Sequence, residues 1–311
     1  MTTSASIVGR SVHGLTYAML GWAVAYGGVR LAWTVGDAPE FGRLGLDLLA
    51  FTGWRSVALC AAAGLLAIAL DRVATWRPAL AGAAWAVAGA LVAAAAILLP
   101  ELVGFLLFTV GPNFDLVAFV SRLGCVTGAV LLALATARYQ RRTRGDCPAC
   151  CRTGQPGARR SASARWALWA AYATVAGLVT RFAAQFVVGF DRLDRTAALT
   201  GLEIGLVLAG VLLPLALVHR WGEVWPGWVP LLAGHAIPRP LLLVPGFGLG
   251  AGIVAYFGMG IVQVTSGSYS EFSDAFLWVA MSAYLVMGLG LLVASADYHL
   301  RTRRQCGTCG R

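Results

Sequence analysis

Two short stretches carry cysteines at metal-binding spacing: "YQRRTRGDCPACCR" at 139–152 and "YHLRTRRQCGTCGR" at 298–311. A C-x-x-C turn holds two thiolates at a separation that fits two corners of a tetrahedral zinc ion, and two such turns complete a four-sulfur site. Cys147, Cys150, Cys306 and Cys309 form that set, with Cys151 as a neighbour able to replace Cys150, and Pro148 and Gly307 suit tight knuckle turns. The expected cofactor is therefore structural zinc. Unliganded thiols, an iron–sulfur centre and thiol–disulfide exchange are the alternatives, the last because nearby arginines favour the thiolate.

A second group of residues is chemically conspicuous because it lies inside apolar runs: Arg30, Arg55, Arg122, Arg181 and Glu203. A charge at the centre of a membrane helix costs about 2.5–3.5 kcal/mol or more, so such positions are candidates for function. At 1.5 Å per residue, all five fall in the outer third of the helices proposed below. Guanidinium groups bind carboxylate and phosphate in a bidentate fashion. We therefore expect an outward-facing pocket for an anionic small molecule or lipid headgroup, with Arg30 and Arg181 flanking the anion and Arg55 and Glu203 forming an ion pair. Two other readings stand beside this one: the side chains snorkel to headgroup phosphates, or they line a deeper ion pathway.

The elements that must position these groups follow from composition. The chain has 311 residues, 59% hydrophobic and only 12% charged, with mean hydropathy +0.74; a soluble domain carries about 25% charged residues. The chain reads as an integral membrane protein. Apolar runs long enough to cross a bilayer, about 20 residues each, fall near 14–34, 50–70, 78–99, 114–137, 166–189, 200–219, 240–264 and 274–296. The first lacks a clean cleavage site and reads as a retained helix rather than a signal peptide.

All 24 basic residues are arginine, and the net charge is +10. Seventeen of them lie in the N-terminal segment, the 71–77 turn, the 138–165 and 219–240 loops and the C-terminal tail. The opposite loops hold Arg43, Arg192 and Arg195 but also Asp37, Glu40, Asp47, Glu101, Asp115, Glu271 and Asp274. Basic residues accumulate on cytoplasmic loops, so both termini are expected in the cytoplasm. This distribution gives the charge a membrane explanation, and no nucleic-acid partner is expected. The basic 152–165 segment reads as a flexible linker that lies on anionic lipid.

The cysteine tails prove to be one end of a longer repeat. They share Tyr139/Tyr298, Arg142/Arg301, Thr143/Thr302, Arg144/Arg303, both cysteine pairs and Arg152/Arg311. Upstream, "TGWR" at 52–55 is echoed by "TGLE" at 200–203, "WRPALAG" at 76–82 by "WVPLLAG" at 228–234, Arg30 by Arg181 and Asp115 by Asp274. The expected fold is all-α and polytopic: eight transmembrane helices arising by tandem duplication of a four-helix unit. Residues 1–151 form the first repeat, 152–165 the linker and 166–311 the second repeat. Because four is even, both copies have the same orientation, with a pseudo-twofold axis along the membrane normal.

Smaller features complete the reading. "GFGLGAG" at 246–252 has the small-residue spacing of close helix packing, and Pro245 is expected to kink its helix. Trp221, Trp225 and Trp228 read as interfacial anchors, Cys60 and Cys125 as packing residues, and His219 and His235 have no assigned role. No P-loop, H-E-x-x-H motif or nucleophile elbow is present, so an enzyme is not expected.

The W-x-P-x-L-A-G segments and the YxxRTRxxCxxC tails resemble multi-pass membrane proteins of high-GC Gram-positive bacteria, a resemblance that implies a plasma-membrane location and no particular activity. Three functions follow as expectations. The first is a transport or ligand-binding protein with an outward anion pocket. The second is a structural protein whose zinc-joined cytoplasmic tails dock a protein partner. The third is a membrane thiol–disulfide oxidoreductase.

Overall fold

A computed structural model describes residues 3–36, 52–106, 115–145, 163–188, 204–205, 207–225, 227, 233–265 and 273–302. The described residues are helical throughout, apart from turns and one isolated antiparallel bridge between Val224 and Ala236. The helices are α1 (Thr3–Val35), α2 (Gly53–Arg72), α3 (Pro78–Ala94), α4 (Leu98–Leu106), α5 (Leu116–Arg144), α6 (Arg165–Val188), α7 (Leu213–Val218), α8 (Arg239–Thr265) and α9 (Asp274–Arg301).

Five of them, α2, α5, α6, α8 and α9, are long and apolar enough to cross a membrane, and α3 with α4 makes a sixth if the two count as one broken span. In α1 the residues Tyr17, Trp22, Tyr26, Arg30 and Trp33 interrupt the apolar run. Large apolar side chains cover the outside, among them Val24 (76% exposed), Leu65 (67%), Val187 (88%) and Val244 (69%). In water this surface would drive association; in a bilayer it faces lipid tails of matching polarity. The chain is a helical membrane-embedded protein.

Helix boundaries follow local chemistry. Asp115 caps α5 by accepting hydrogen bonds from the backbone of Val117 (2.8 Å) and Ala118 (3.2 Å), which satisfies two of the four free donors at a helix start. Ser273 caps α9 through Phe276 N–H (3.4 Å). Pro78 opens α3 with Arg77 extended before it, as the clash of a proline ring with the preceding residue requires.

The expected continuous span 78–99 is broken at 95–97, where Ala96 and Leu98 donate three residues back, to Ala93 and Ala95. Pro100 explains the break: it cannot donate to Ala96 C=O, so a regular helix cannot continue. The same chemistry acts at Pro214. A π-helical stretch, Leu208–Leu212, precedes it, closed by Leu213 N–H reaching back to Leu208 C=O. By contrast, α8 runs through Pro245 without ending.

The chain divides into two compact units, one of α1, α2, α3 and α5, the other of α4 and α6 to α9. The core of the first is built largely from small residues: Ala63, Ala67, Ala84, Ala88, Cys125 and Ala129, with Met19, Leu91 and Leu132. In the second, Ala167, Ala171, Leu217, Leu291 and Ala294 form one cluster, and Leu178, Ile253 and Met287 another. Small residues let helix backbones approach where no hydrophobic effect drives them together. Gly250, within the expected packing motif, illustrates this: a Cβ there would come within 2.9 Å of Leu292 and 3.2 Å of the Gly288 carbonyl on α9.

Candidate functional site

The first unit encloses a polar cluster where the C-terminal third of α1 meets the start of α5. Arg30 is 5% exposed, and its guanidinium donates to Tyr26 Oη from Nε (3.1 Å) and Nη2 (2.9 Å), and to Ser121 Oγ from Nη2 (2.7 Å). The Tyr26 hydroxyl in turn donates to Ser121 C=O (2.9 Å) and lies 3.2 Å from Cys125 Sγ. Tyr26 and Arg30 are four residues apart, which stacks them on one face of α1. Ser121 and Cys125 have the same spacing on α5.

Aromatic rings close the cluster. The Arg30 guanidinium carbon is 5.4 Å from the Tyr26 ring centre and 5.3 Å from that of Trp33, within range of cation–π attraction. Trp22 stacks on Tyr26 at 5.4 Å and donates its indole N–H to Gly124 C=O (2.8 Å). Two glycines make room: a Cβ at Gly124 would come within 2.7 Å of the Tyr26 ring, and one at Gly128 would overlap the Trp22 ring.

The other expected site residues are placed as follows. Arg122, next to Ser121, is 7% exposed, whereas Arg55 is exposed two residues into α2. Arg181 is half-buried in the second unit, donating from Nη1 to Gln185 Oε1 (2.8 Å), with its guanidinium carbon 5.6 Å from the Tyr284 ring centre and 5.7 Å from that of Phe276. Glu203, Cys147, Cys150, Cys306 and Cys309 lie outside the described residues. Among the described residues, no group of three His, Cys, Asp or Glu side chains is arranged to hold a metal ion.

Arg30 and Arg181 have a similar aromatic environment, each within its own unit. Each arginine therefore meets a tyrosine, supplied by its own helix in the first unit and by the facing helix α9 in the second. Gly177 packs directly on α9, where a Cβ would come within 2.6 Å of Ala283 C=O.

A second construction lies at the arginine-rich end of each unit, and sequence reasoning saw its residues only as marks of a repeat. In the first unit the buried Tyr139 hydroxyl donates to Thr75 C=O (2.7 Å) and accepts from Arg77 N–H (2.8 Å). Its ring stacks on Trp76 at 5.8 Å, and Arg144 lies over the same indole at 4.3 Å. Arg142 Nη2 donates to the carbonyls of Leu70, Asp71 and Val73 at 2.8, 3.0 and 3.0 Å. Those carbonyls end α2 and begin the turn, where no helical partner is available. The WRPALAG and YQRRTR motifs are thus two halves of one clasp.

In the second unit the Tyr298 hydroxyl donates to Gly222 C=O (3.1 Å), and Arg301 donates to Leu217 C=O (2.9 Å) and to the Glu223 carboxylate. Thr143 and Thr302 each donate back to the tyrosine carbonyl, at 2.8 and 2.7 Å. The sequence signal for both clasps was the matched Tyr, Arg and Thr, which the cysteines beside them overshadowed.

No protein-family model, curated protein or solved structure matches the chain.

Proposed function

We propose that the chain is an eight-span plasma-membrane protein made by duplication of a four-helix unit, with both termini cytoplasmic. In this reading it takes an anionic group, a small carboxylate or phosphate or a lipid headgroup, beside Arg30 at the outer end of its first unit. The paired clasps support the duplication, because Tyr, Arg and Thr at matched positions make corresponding bonds in each unit. The observation that carries the anion reading is the fixed Arg30 guanidinium. Hydroxyls from α1 and α5 orient it, and a pre-oriented guanidinium is a receptor for carboxylate or phosphate oxygens. Arg122 supplies a second buried cation on the adjacent α5 position.

The test is thermal unfolding of the purified protein titrated with inorganic phosphate, acetate, and phosphatidylglycerol against phosphatidylcholine. We expect a saturable rise in Tm with one anion class, equivalent to about 2.7 kcal/mol at a hundredfold excess over Kd, and its loss in Arg30→Gln. An unchanged rise in Arg30→Gln, or no rise with any anion, would overturn the site.

A second reading, a docking platform whose cysteine tails are joined by zinc, is favoured by the clasps themselves. They pin α5 and α9 within a few residues of the points where the cysteine tails depart.

A further inference from the structure

The two clasps differ in charge. In the second unit Arg301 pairs with Glu223 and lies 3.8 Å from the Asp297 carboxylate, so its cation is balanced from within the unit. The first clasp is not balanced in this way. Residues 70–78 and 138–145, which form it, hold Arg72, Arg77, Arg138, Arg141, Arg142 and Arg144 against Asp71 alone. The C-termini of α2 and α5 also lie here, each equivalent to about half a negative charge, and with Asp71 they leave about four positive charges in excess.

Four of these arginines are exposed and share the clasp: Arg72, Arg77, Arg142 and Arg144. Arg142 is held on the end of α2 by the Leu70, Asp71 and Val73 carbonyls, which flank Arg72 in the chain. Arg144 lies over Trp76 at 4.3 Å, within cation–π range. The neighbouring Arg77 is fixed through its backbone N–H, which donates to Tyr139 Oη (2.8 Å). The side chains of Arg72 and Arg77 make no hydrogen bond or ion pair among the described residues. Guanidinium groups left with free donors in this way suit phosphate oxygens.

The surroundings favour a lipid as the source of that phosphate. Leu65, 67% exposed, lies seven residues before Arg72, which places both on one face of α2. The apolar outer stripe of the helix therefore leads directly to the arginine, as a tail leads to its headgroup. Trp76 beside them is a residue type that settles at headgroup depth. A zwitterionic lipid brings its own cation, whereas an anionic one balances the excess charge.

We propose that the first clasp is a binding site for an anionic phospholipid, whose phosphate is taken by Arg72, Arg77, Arg142 and Arg144. The site is separate from that of Arg30. Arg30 meets Ser121 at the start of α5, whereas Arg142 and Arg144 end that helix, about 30 Å away at 1.5 Å per residue.

The test is native mass spectrometry of the full-length protein in neutral detergent, titrated with phosphatidylglycerol or phosphatidylcholine. It is run on wild type and on Arg30→Gln, so that lipid at the outer site is counted apart. We expect one site that retains phosphatidylglycerol over phosphatidylcholine and survives Arg30→Gln. Arg72→Gln combined with Arg77→Gln should weaken it about 25-fold, at roughly fivefold per arginine near a membrane surface. Arg165→Gln combined with Arg220→Gln removes the same charge from exposed positions in the second unit and should leave the site unchanged. Equal falls in the two double variants, or equal retention of the two lipids, would overturn the proposal. Displacement of the lipid by an equal concentration of inorganic phosphate or of an acidic peptide would also overturn it, because the headgroup would not then be the occupant.

Discussion

At the scale of single residues, Arg30 and Arg181 each lie over a tyrosine ring, from the same helix in the first unit and from the facing helix α9 in the second. The buried arginines were legible in the sequence, since charge inside an apolar run is visible without a structure. Their partners were not: Ser121 is 91 residues from Arg30, and Gly124 is 102 from Trp22. Cys125, read as packing alone, also contacts the Tyr26 hydroxyl. The glycines give a test at this scale. Gly128→Ala should destabilise by about 1–3 kcal/mol because the rigid Trp22 ring cannot move aside. Gly89→Ala, on an exposed face of α3 with open space around it, should instead stabilise by about 0.5–1 kcal/mol. Thermal unfolding in detergent measures both, and the same sign for the two would contradict the packing described.

At the scale of elements, the described parts of the expected apolar segments are largely helical, and five helices are long and apolar enough to cross a membrane, or six if α3 and α4 count as one broken span. Apolar runs of span length have few alternatives, because an unpaired backbone in lipid costs several kcal/mol per group. Two interruptions were not anticipated, at 95–97 and 208–212, and both follow from prolines whose effect depends on how neighbouring carbonyls are satisfied. The clasps tie the elements at their arginine-rich ends, and their tyrosine hydroxyls differ in hydrogen bonding. Tyr139 makes two hydroxyl bonds and Tyr298 one. Tyr139→Phe should therefore cost about 2 kcal/mol and Tyr298→Phe about 1 kcal/mol, read as separate losses in Tm. Equal losses, or a larger one for Tyr298→Phe, would show that the two clasps are not built as described.

At the scale of the whole molecule, the clasps recast the duplicated tail. Each begins with a Tyr, Arg and Thr that lock α5 or α9 to its own unit, and only then come the cysteines. A tail anchored this way starts from a defined point, which lowers the chain entropy lost on closing a metal site. If the tails share zinc, purified protein under reducing conditions should contain about one zinc per chain, and Cys306→Ser should lose most of it. Metal content by elemental analysis decides this, and full retention in the variant would remove the four-sulfur site. Because the clasps do not depend on metal, the fold of each unit should persist in Cys306→Ser.

The sequence by itself determined that the chain is helical and membrane-embedded, and that charges lie within its apolar helices. Those properties are local: hydropathy, proline chemistry and capping are fixed by neighbours in the chain. Only the tertiary structure decided that Arg30 is oriented by hydroxyls from two helices, and that the WRPALAG and YQRRTR motifs are one contact. It also decided that Arg301 stands between two carboxylates. Each of these depends on which helix faces which, and with what rotation, and that choice is made by the packing of small residues far apart in the chain.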